Sequence, residues 1–197
     1  RTAPHIVTRL DERGVLLATN PIRESGGERV AFFQISERDG RACADRGLFL
    51  GRNGRYDSPA GLAARTLPQR VGAGLDPCGA IQTRVSVAAG ETHELVFAIG
   101  EAADAATAVS LAAAHCSPAA FTSALGHQKE TWSRITGALQ VATPDPGFDV
   151  LVNDWLLYQT LSCRIWGRTA FYQSSGAFGF RDQLQDAMAL VHAEPRL

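Results

Sequence analysis

The sequence has 197 residues, of which 45% are hydrophobic and 20% charged, so it can bury a sizeable core in one or two globular domains. Its 19 basic and 20 acidic residues give a formal net charge of -1 with no long run of either sign, which argues against nucleic acid or anionic lipid as a partner. No apolar stretch approaches the roughly 20 residues of a membrane span, and residues 1–14 lack the apolar core of a signal peptide. No membrane contact of this chain is therefore expected.

The first strand signals are two short runs of β-forming residues, at 15–19 and 29–36. Turn residues bound both runs, namely Asn20-Pro21, Gly26-Gly27 and Asp39-Gly40. We expect these runs to form neighbouring strands.

A second pair of strand signals lies at 81–87 and 93–99. The first run alternates, with Ile81, Thr83, Val85 and Val87 on one face, which is typical of a half-buried antiparallel strand. The turn Ala89-Gly90-Glu91 separates the two runs, so the pattern predicts a hairpin that ends at Gly100. Residues 1–100 are thus predicted to form antiparallel β-structure.

The intervening segment 47–77 is rich in glycine and proline and predicts a long connection. Within it, Gly51-Arg52-Asn53-Gly54-Arg55 raises the alternative of an anion site. That site would need a following strand-to-helix context, which is missing, so a surface loop is predicted.

Beyond Gly100 the composition shifts to alanine and the apolar period becomes helical. Residues 102–115 predict one helix, and Ser117-Pro118 supplies the N-cap and first-turn proline of a second that runs to about residue 139. We interpret 101–142 as a helical linker. Trp132 and Ile135, on its apolar side, are expected to dock onto a domain.

A proline-rich break at 143–147 begins the third segment, 143–197. Its helix at 148–166 is apolar nearly all round and is predicted to be buried on more than one side. A helix at 181–191 follows, and it places Arg181, Asp182, Gln185 and Asp186 on one arc and Leu184, Ala187, Met188 and Val191 on the other.

The polar arc has two interpretations. On spacing alone, a solvated helix face explains it as well as a binding site does. The lead-in favours the binding site, because aromatic rings beside arginines, amides and carboxylates suit pyranose rings and their hydroxyls. These rings are Trp166, Phe171, Tyr172, Phe178 and Phe180.

Three runs carry a resemblance to a known family: 153–159, 163–168 and the longer run Gly179-Phe180-Arg181-Asp182-Gln183-Leu184-Gln185-Asp186. They resemble the inverting glycoside phosphorylases of the cellobiose and chitobiose phosphorylase family, and are most similar to the phosphorylase-like region of cyclic β-1,2-glucan synthases. Residues 49–52, 72–78 and 96–100 resemble the β-domain of that family more weakly. The resemblance implies an α+β fold: an antiparallel β-sandwich portion, a helical linker and the first helices of a six-hairpin α/α barrel.

The resemblance also implies the chemistry. An inverting phosphorylase uses inorganic phosphate as nucleophile, so one carboxylic acid suffices to protonate the leaving oxygen. Asp182 and Asp186 are no glycosidase dyad, because side chains four apart on a helix point the same way and cannot flank a sugar. The family's general acid belongs to a later motif, so this chain is expected to hold no catalytic residue, no metal and no cofactor, and to be inactive alone.

What the chain supplies by this resemblance is the donor-sugar wall of the site. Arg168 and Arg181 would donate to sugar hydroxyls or attract phosphate, and Asp186 would accept from a hydroxyl. Gln185 would orient its neighbours, and Tyr172 and Phe178 are stacking candidates. A salt bridge for Arg168 and ordinary core packing for the two rings remain alternatives.

The expected partners are a β-glucan oligosaccharide and inorganic phosphate. Two alternatives stay open: a non-catalytic carbohydrate-binding or chain-length-sensing module, and an inverting hydrolase on the same barrel. The four cysteines, Cys43, Cys78, Cys116 and Cys163, show no CxxC motif and are interpreted as free thiols, although an oxidising compartment would permit two disulfides. A cytoplasmic location follows, in a longer protein that the resemblance allows to be membrane-attached.

Overall fold

The computed structural model describes residues 5–22, 29–37, 39–166, 180–188 and 190–195. It contains two compact units, residues 1–124 and residues 125–197. Among the described residues no single helix is long and apolar enough to cross a membrane, and only a sharply bent pair, Ala105–His115 with Pro118–Thr136, meets that test by length and composition.

The described strands of the first unit form two antiparallel sheets. They are β1 Val7–Leu10, β2 Leu16–Thr19, β3 Val30–Ile35, β4 Arg41–Asp45, β5 Pro77–Gln82 and β6 Phe97–Ala102. The larger sheet has the order β1-β2-β3-β6, and β4 pairs with β5 in the smaller one. The prediction of an α+β fold with antiparallel sheets is confirmed, as are the predicted strands at β2 and β3.

Short connecting helices complete the first unit. They are α1 Arg46–Leu50, α2 Ala60–Ala63 and α3 Ala105–His115, and α4 Pro118–Thr136 begins in this unit. Asp45 caps α1 by accepting from Gly47 N and Leu48 N. Residues 52–58 are exposed, so the predicted surface loop is confirmed.

Neighbouring residues of the central strands pack on opposite sides of the larger sheet, as the pleat requires. Leu17 and Phe32 pack against α3, whereas Leu16 and Phe33 pack towards the smaller sheet. The core on the α3 side contains Val15, Leu17, Val30, Phe32, Ala98, Ala102, Ala108 and Ala112. The first unit therefore has three layers: α3, the four-stranded sheet and the two-stranded sheet.

The predicted hairpin of 81–87 with 93–99 is wrong. β5 ends at Gln82 and pairs with β4, and β6 pairs with β3. The turn itself forms, since Glu91 N donates to Ala88 O at 3.0 Å and Gly90 has a φ of 83°. Its flanks do not pair because Ile81 is used in the core between the sheets, and the small residues Ala98 and Ala102 pack against α3.

The second unit is helical in its described part. After α4 come α5 Pro146–Val150, a π-helical segment Leu151–Trp155, α6 Leu156–Gln159, a second π-helical segment Thr160–Trp166, α7 Phe180–Met188 and α8 Leu190–Ala193. Its core consists of Ile135, Leu157, Leu161 and Leu190, with Trp132 and Ala193 packed against it. The prediction that Trp132 and Ile135 dock onto a domain is confirmed.

The prediction that 148–166 is buried on more than one side is wrong for the described structure. Leu157 and Leu161 are buried, but Val150 is 61% and Trp155 is 51% exposed. The exposed apolar residues of this stretch are Phe148, Val150, Leu151, Trp155, Leu156, Tyr158, Ile165 and Trp166. The reason is that the described helices of this unit bury only one stripe of it, the stripe of Leu157 and Leu161.

Candidate functional site

Three of the six predicted sugar-binding residues lie on α7. Arg181 and Gln185 are exposed and one turn apart, so they share a face of the helix. Asp186 lies about 100° further round, where it is half-buried. The other three predicted residues, Arg168, Tyr172 and Phe178, lie outside the described residues.

The apolar arc of α7 does not form core in the described structure. Leu184 is 52% and Met188 59% exposed, and in α8 Val191 is 63% exposed. Leu190 instead enters the core of the second unit. Leu184 and Met188 of α7 therefore remain accessible, while the following helix α8 joins the core through Leu190.

A row of aromatic rings lies beside this core. Trp132 contacts Tyr158 at 5.0 Å between ring centroids and Trp166 at 5.4 Å, the latter edge to face. Trp155 extends the row, 5.8 Å from Tyr158. Tyr158, Trp155 and Trp166 are all exposed, so the row presents apolar surface of the kind on which sugar rings stack.

Sequence reasoning found only part of this row. It assigned Trp166 to the aromatic lead-in and Trp132 to docking, but gave Trp155 and Tyr158 no role beyond a buried helix. Their spacing of three residues along one helix is the signal that was available. α7 contacts the π-helical segment that ends at Trp166, so the rings and the polar arc belong to one packed unit.

The start of the helical stretch is fixed by side chains that bind backbone. Asn153 Nδ2 donates to Val141 O at 2.9 Å, and Val141 N donates to Asn153 Oδ1 at 2.7 Å. Asp149 accepts from Thr143 N at 2.9 Å and from Thr143 Oγ1 at 2.8 Å. Sequence reasoning missed Asn153 as a structural residue, although a polar amide inside an apolar helix is a signal for such a bond.

An ion pair and a backbone hydrogen bond fix the C-terminal helix α8 of this unit. Arg134 of α4 pairs with Glu194, and Glu194 N donates to Leu190 O at 2.7 Å. α4 and α8 are thereby joined on the same core that carries Ile135 and Leu190. The result is a fixed support for α7 made of hydrogen bonds, an ion pair and apolar packing.

The described residues contain no group of three His, Cys, Asp or Glu side chains that could hold a metal ion. All four cysteines are free, as predicted from their spacing. Burial raises the pKa of the Cys78 thiol to about 11, with the neighbouring Cys43 adding to the effect, and burial also raises the pKa of Cys116. These two thiols are therefore poor nucleophiles near neutral pH.

Two family models match the sequence. Residues 1–118 match the model described as glycosyl hydrolase 94, supersandwich domain, and residues 131–197 match that of the glycosyl hydrolase 94 superfamily, catalytic domain. The chain is similar to the cyclic beta-(1,2)-glucan synthase NdvB of Rhizobium meliloti (strain 1021), with 39% identity over 199 residues that cover 100% of this chain and 7% of the relative.

Two phosphorylases are also similar. The N,N'-diacetylchitobiose phosphorylase of Vibrio furnissii is 26% identical over 85% of this chain and 20% of the relative. The 3-O-beta-D-glucopyranosyl-beta-D-glucuronide phosphorylase of Paenibacillus borealis is 26% identical over 80% of this chain and 20% of the relative. The chain thus spans a fifth or less of each of these three relatives.

Proposed function

Because the chain belongs to the glycosyl hydrolase 94 family, we propose that it forms part of an enzyme that cleaves β-linked glucan with inorganic phosphate as nucleophile. The β-linked glucan proposed as its substrate is β-1,2-glucan. The 39% identity to a cyclic β-1,2-glucan synthase over the whole chain supports the glucan assignment. The similarity to named phosphorylases supports phosphate as the co-substrate.

In this proposal residues 1–100 form the β-sandwich portion, 101–142 a helical linker and 143–197 the first helices of a six-hairpin α/α barrel. The apolar side chains exposed along 148–166 support the barrel, because an inner barrel helix needs neighbours on more than one side. The match of residues 131–197 to a catalytic domain supports the same assignment.

The role proposed for this chain is to hold the donor sugar. Arg181 on the exposed face of α7 would donate to sugar hydroxyls, and the half-buried Asp186 would accept from one. Gln185, on the same face as Arg181, would orient its neighbours. Arg168, Tyr172 and Phe178 complete the proposed wall. The observation that carries this role is the common placement of Arg181, Gln185 and Asp186 on α7, within the segment that matches the catalytic domain.

The proposed reaction is a displacement with inversion. A phosphate oxygen attacks the anomeric carbon as the bond from that carbon to the glycosidic oxygen breaks, and a general acid outside this chain gives its proton to the leaving oxygen. The products are a sugar 1-phosphate and a glucan shortened by one unit. The residues proposed here contribute by orientation, which requires the sugar ring to be held close to the in-line geometry.

The test is to incubate the protein that carries this chain with β-1,2-glucan oligosaccharides, with and without inorganic phosphate. We expect release of glucose 1-phosphate that depends on phosphate, in a cytoplasmic enzyme whose isolated 197-residue segment releases none. Release of reducing sugar at the same rate without phosphate would assign a hydrolase instead. Binding of the glucan without any turnover would assign a carbohydrate-binding or chain-length-sensing module.

A further inference from the structure

A cavity in the first unit lies outside the proposed donor site and is rich in arginine. Its volume is about 490 Å³, and it lies where β4 begins and β5 ends. It is lined by Asp39, Arg41, Arg65, Thr66, Gln82, Thr83, Arg84 and Val85. Three of these eight residues are arginines, and all three are exposed to solvent at the cavity.

Three different backbone segments position the arginines. Arg41 begins β4 and lies opposite Gln82 in the β4–β5 register. Arg84 follows the end of β5 by two residues. Arg65 lies on a loop that Gln82 holds at both ends, since Gln82 Nε2 donates to Ala64 O at 2.9 Å and Leu67 N donates to Gln82 Oε1 at 2.6 Å.

The loop with Arg65 is therefore fixed in place. Leu67, which is 1% exposed, buries its side chain in the protein, and the Gln82 side chain bonds the loop to β5. Because the backbone of this loop is fixed, it cannot carry the Arg65 guanidinium away from the cavity. The convergence of the three arginines is thus a property of the fold.

Among the described residues, the charges that line this cavity do not balance. Of the described residues that line it, one is a carboxylate, Asp39, which accepts a hydrogen bond of 2.6 Å from Thr83 Oγ1. Within the described part of the chain, Arg41, Arg65 and Arg84 form no ion pair and no side-chain hydrogen bond. Elsewhere in the same unit Arg46 pairs with Asp76 at 3.3 Å and Arg55 with Asp57 at 3.2 Å.

We propose that this cavity binds a phosphoryl dianion, either inorganic phosphate or the phosphate of a sugar phosphate. Like charges that converge on a cleft raise the potential there and attract an anion. A planar monovalent carboxylate is satisfied by one bidentate arginine, whereas a tetrahedral dianion accepts from three guanidinium groups that approach from different segments. The Thr66 hydroxyl, which also lines the cavity, supplies a further donor.

Residue-resolved arginine modification tests this site apart from the donor site. The protein that carries this chain is treated with phenylglyoxal, and modification of each arginine is followed by peptide mass spectrometry. Inorganic phosphate and glucose 1-phosphate are titrated in separate arms at matched ionic strength in chloride. We expect protection of Arg41, Arg65 and Arg84, reaching about tenfold slower reaction when the ligand is at roughly nine times its dissociation constant.

The exposed Arg52 and Arg55 serve as internal controls and should react at an unchanged rate. The arm that protects at the lower concentration identifies free phosphate or sugar phosphate as the ligand. Equal protection of all five arginines, or none at the cavity, would show only ionic screening and overturn the proposal. Stronger protection by glucuronate than by either phosphate compound would overturn the phosphoryl class.

A variant pair gives the second measurement. In Arg65→Gln with Arg84→Gln, ligand protection of the remaining Arg41 should be lost, while the matched control Arg52→Gln should keep it. Both are expected to fold, because the replaced side chains are exposed and unpaired among the described residues. The single variants replace the double one if it fails to fold. Protection of Arg41 that survives the loss of both neighbours would contradict the site.

Discussion

The ring of Phe32 lies against Gly100, its partner in the β3–β6 register, so closely that a Cβ at Gly100 would meet Phe32 Cζ at 2.6 Å. Phe32 is 7% exposed and part of the core under α3, so its ring has little room to move. The pairing of β6 with β3 therefore requires a residue without a side chain at position 100.

Gly100→Ala should destabilise the first unit by about 1–3 kcal/mol, because the methyl group overpacks the core. The free energy is best measured by hydrogen exchange of the β3 and β6 amides, which report this unit alone. Gly79→Ala is the matched control, since its Cβ would meet Phe33 at an ordinary 3.4 Å. If both variants lose the same stability, the close approach at Gly100 is not what limits the strand pair.

Local pattern was enough to place individual elements but not to pair them. The runs at 15–19 and 29–36 were predicted within a residue of β2 and β3, because β-forming residues bounded by turn residues indicate a strand. The pattern within one run does not show which other strand it pairs with. The small residues Gly100, Ala98 and Ala102 decide that β6 joins β3, through contacts with Phe32 and with α3 that lie far away in sequence.

The candidate site shows the same division. A polar arc on α7 was predicted from spacing, and the structure brings Arg181, Gln185 and Asp186 onto this helix. The aromatic row was missed, and so was the Asn153 clamp, the pair of hydrogen bonds between the Asn153 side chain and the backbone of Val141. Each joins residues of separate segments. A helix that is apolar nearly all round also predicted burial, whereas Trp155 and Val150 are exposed in the described structure.

Asp104 gives the stability of the first unit a defined pH dependence. As N-cap of α3 it accepts from Thr107 N at 2.8 Å, and this hydrogen bond holds its pKa below the ordinary value of 3.8. A lowered folded-state pKa means that its contribution is complete above 3.8 and is lost as pH falls through the folded-state value. In Asp104→Asn, which keeps an acceptor but does not titrate, the difference in Tm from the wild type should shrink over that acidic interval. A constant difference would exclude Asp104 as the source.

Cys78 should be protected from alkylation in the folded chain. Burial raises its pKa from 9.0 to about 11, so near pH 8 it carries roughly a hundredfold less thiolate than an exposed cysteine. Iodoacetamide should therefore modify it much more slowly before than after denaturation, and four thiols should react in denaturant. Equal rates of alkylation in the two states would contradict the burial of Cys78.

The Cys78 thiol also gives stability a pH dependence. Its contribution to the free energy of unfolding is present below pH 9.0 and is lost as the pH rises through about 11.

Asn153→Ala should destabilise the second unit by roughly 1–3 kcal/mol, because it leaves Val141 N and O without their partners. All three tryptophans, Trp132, Trp155 and Trp166, lie in this unit, so tryptophan fluorescence during urea unfolding measures it selectively. The neighbouring Asp154 is exposed, and Asp154→Ala should change the free energy of unfolding by no more than about 0.5 kcal/mol. A loss in the control as large as that in Asn153→Ala would mean that the clamp is not responsible.

Asp186 and Arg181 test the donor-sugar wall, in the intact protein that carries this chain. If Asp186 accepts from a sugar hydroxyl in a dry pocket, Asp186→Ala leaves that hydroxyl unpaired, at a cost of roughly 1–3 kcal/mol or about ten- to hundredfold in kcat/KM. Arg181→Ala should cost at least as much, because its hydrogen bond would be charge-assisted. A solvated helix face instead predicts nearly normal turnover and a stability change within about 0.5 kcal/mol. Thermal unfolding and kcat/KM for phosphorolysis are therefore measured together, with Lys129→Ala on the exposed side of α4 as the control. Folded Asp186→Ala and Arg181→Ala proteins that both keep wild-type turnover would remove these two residues from the sugar site.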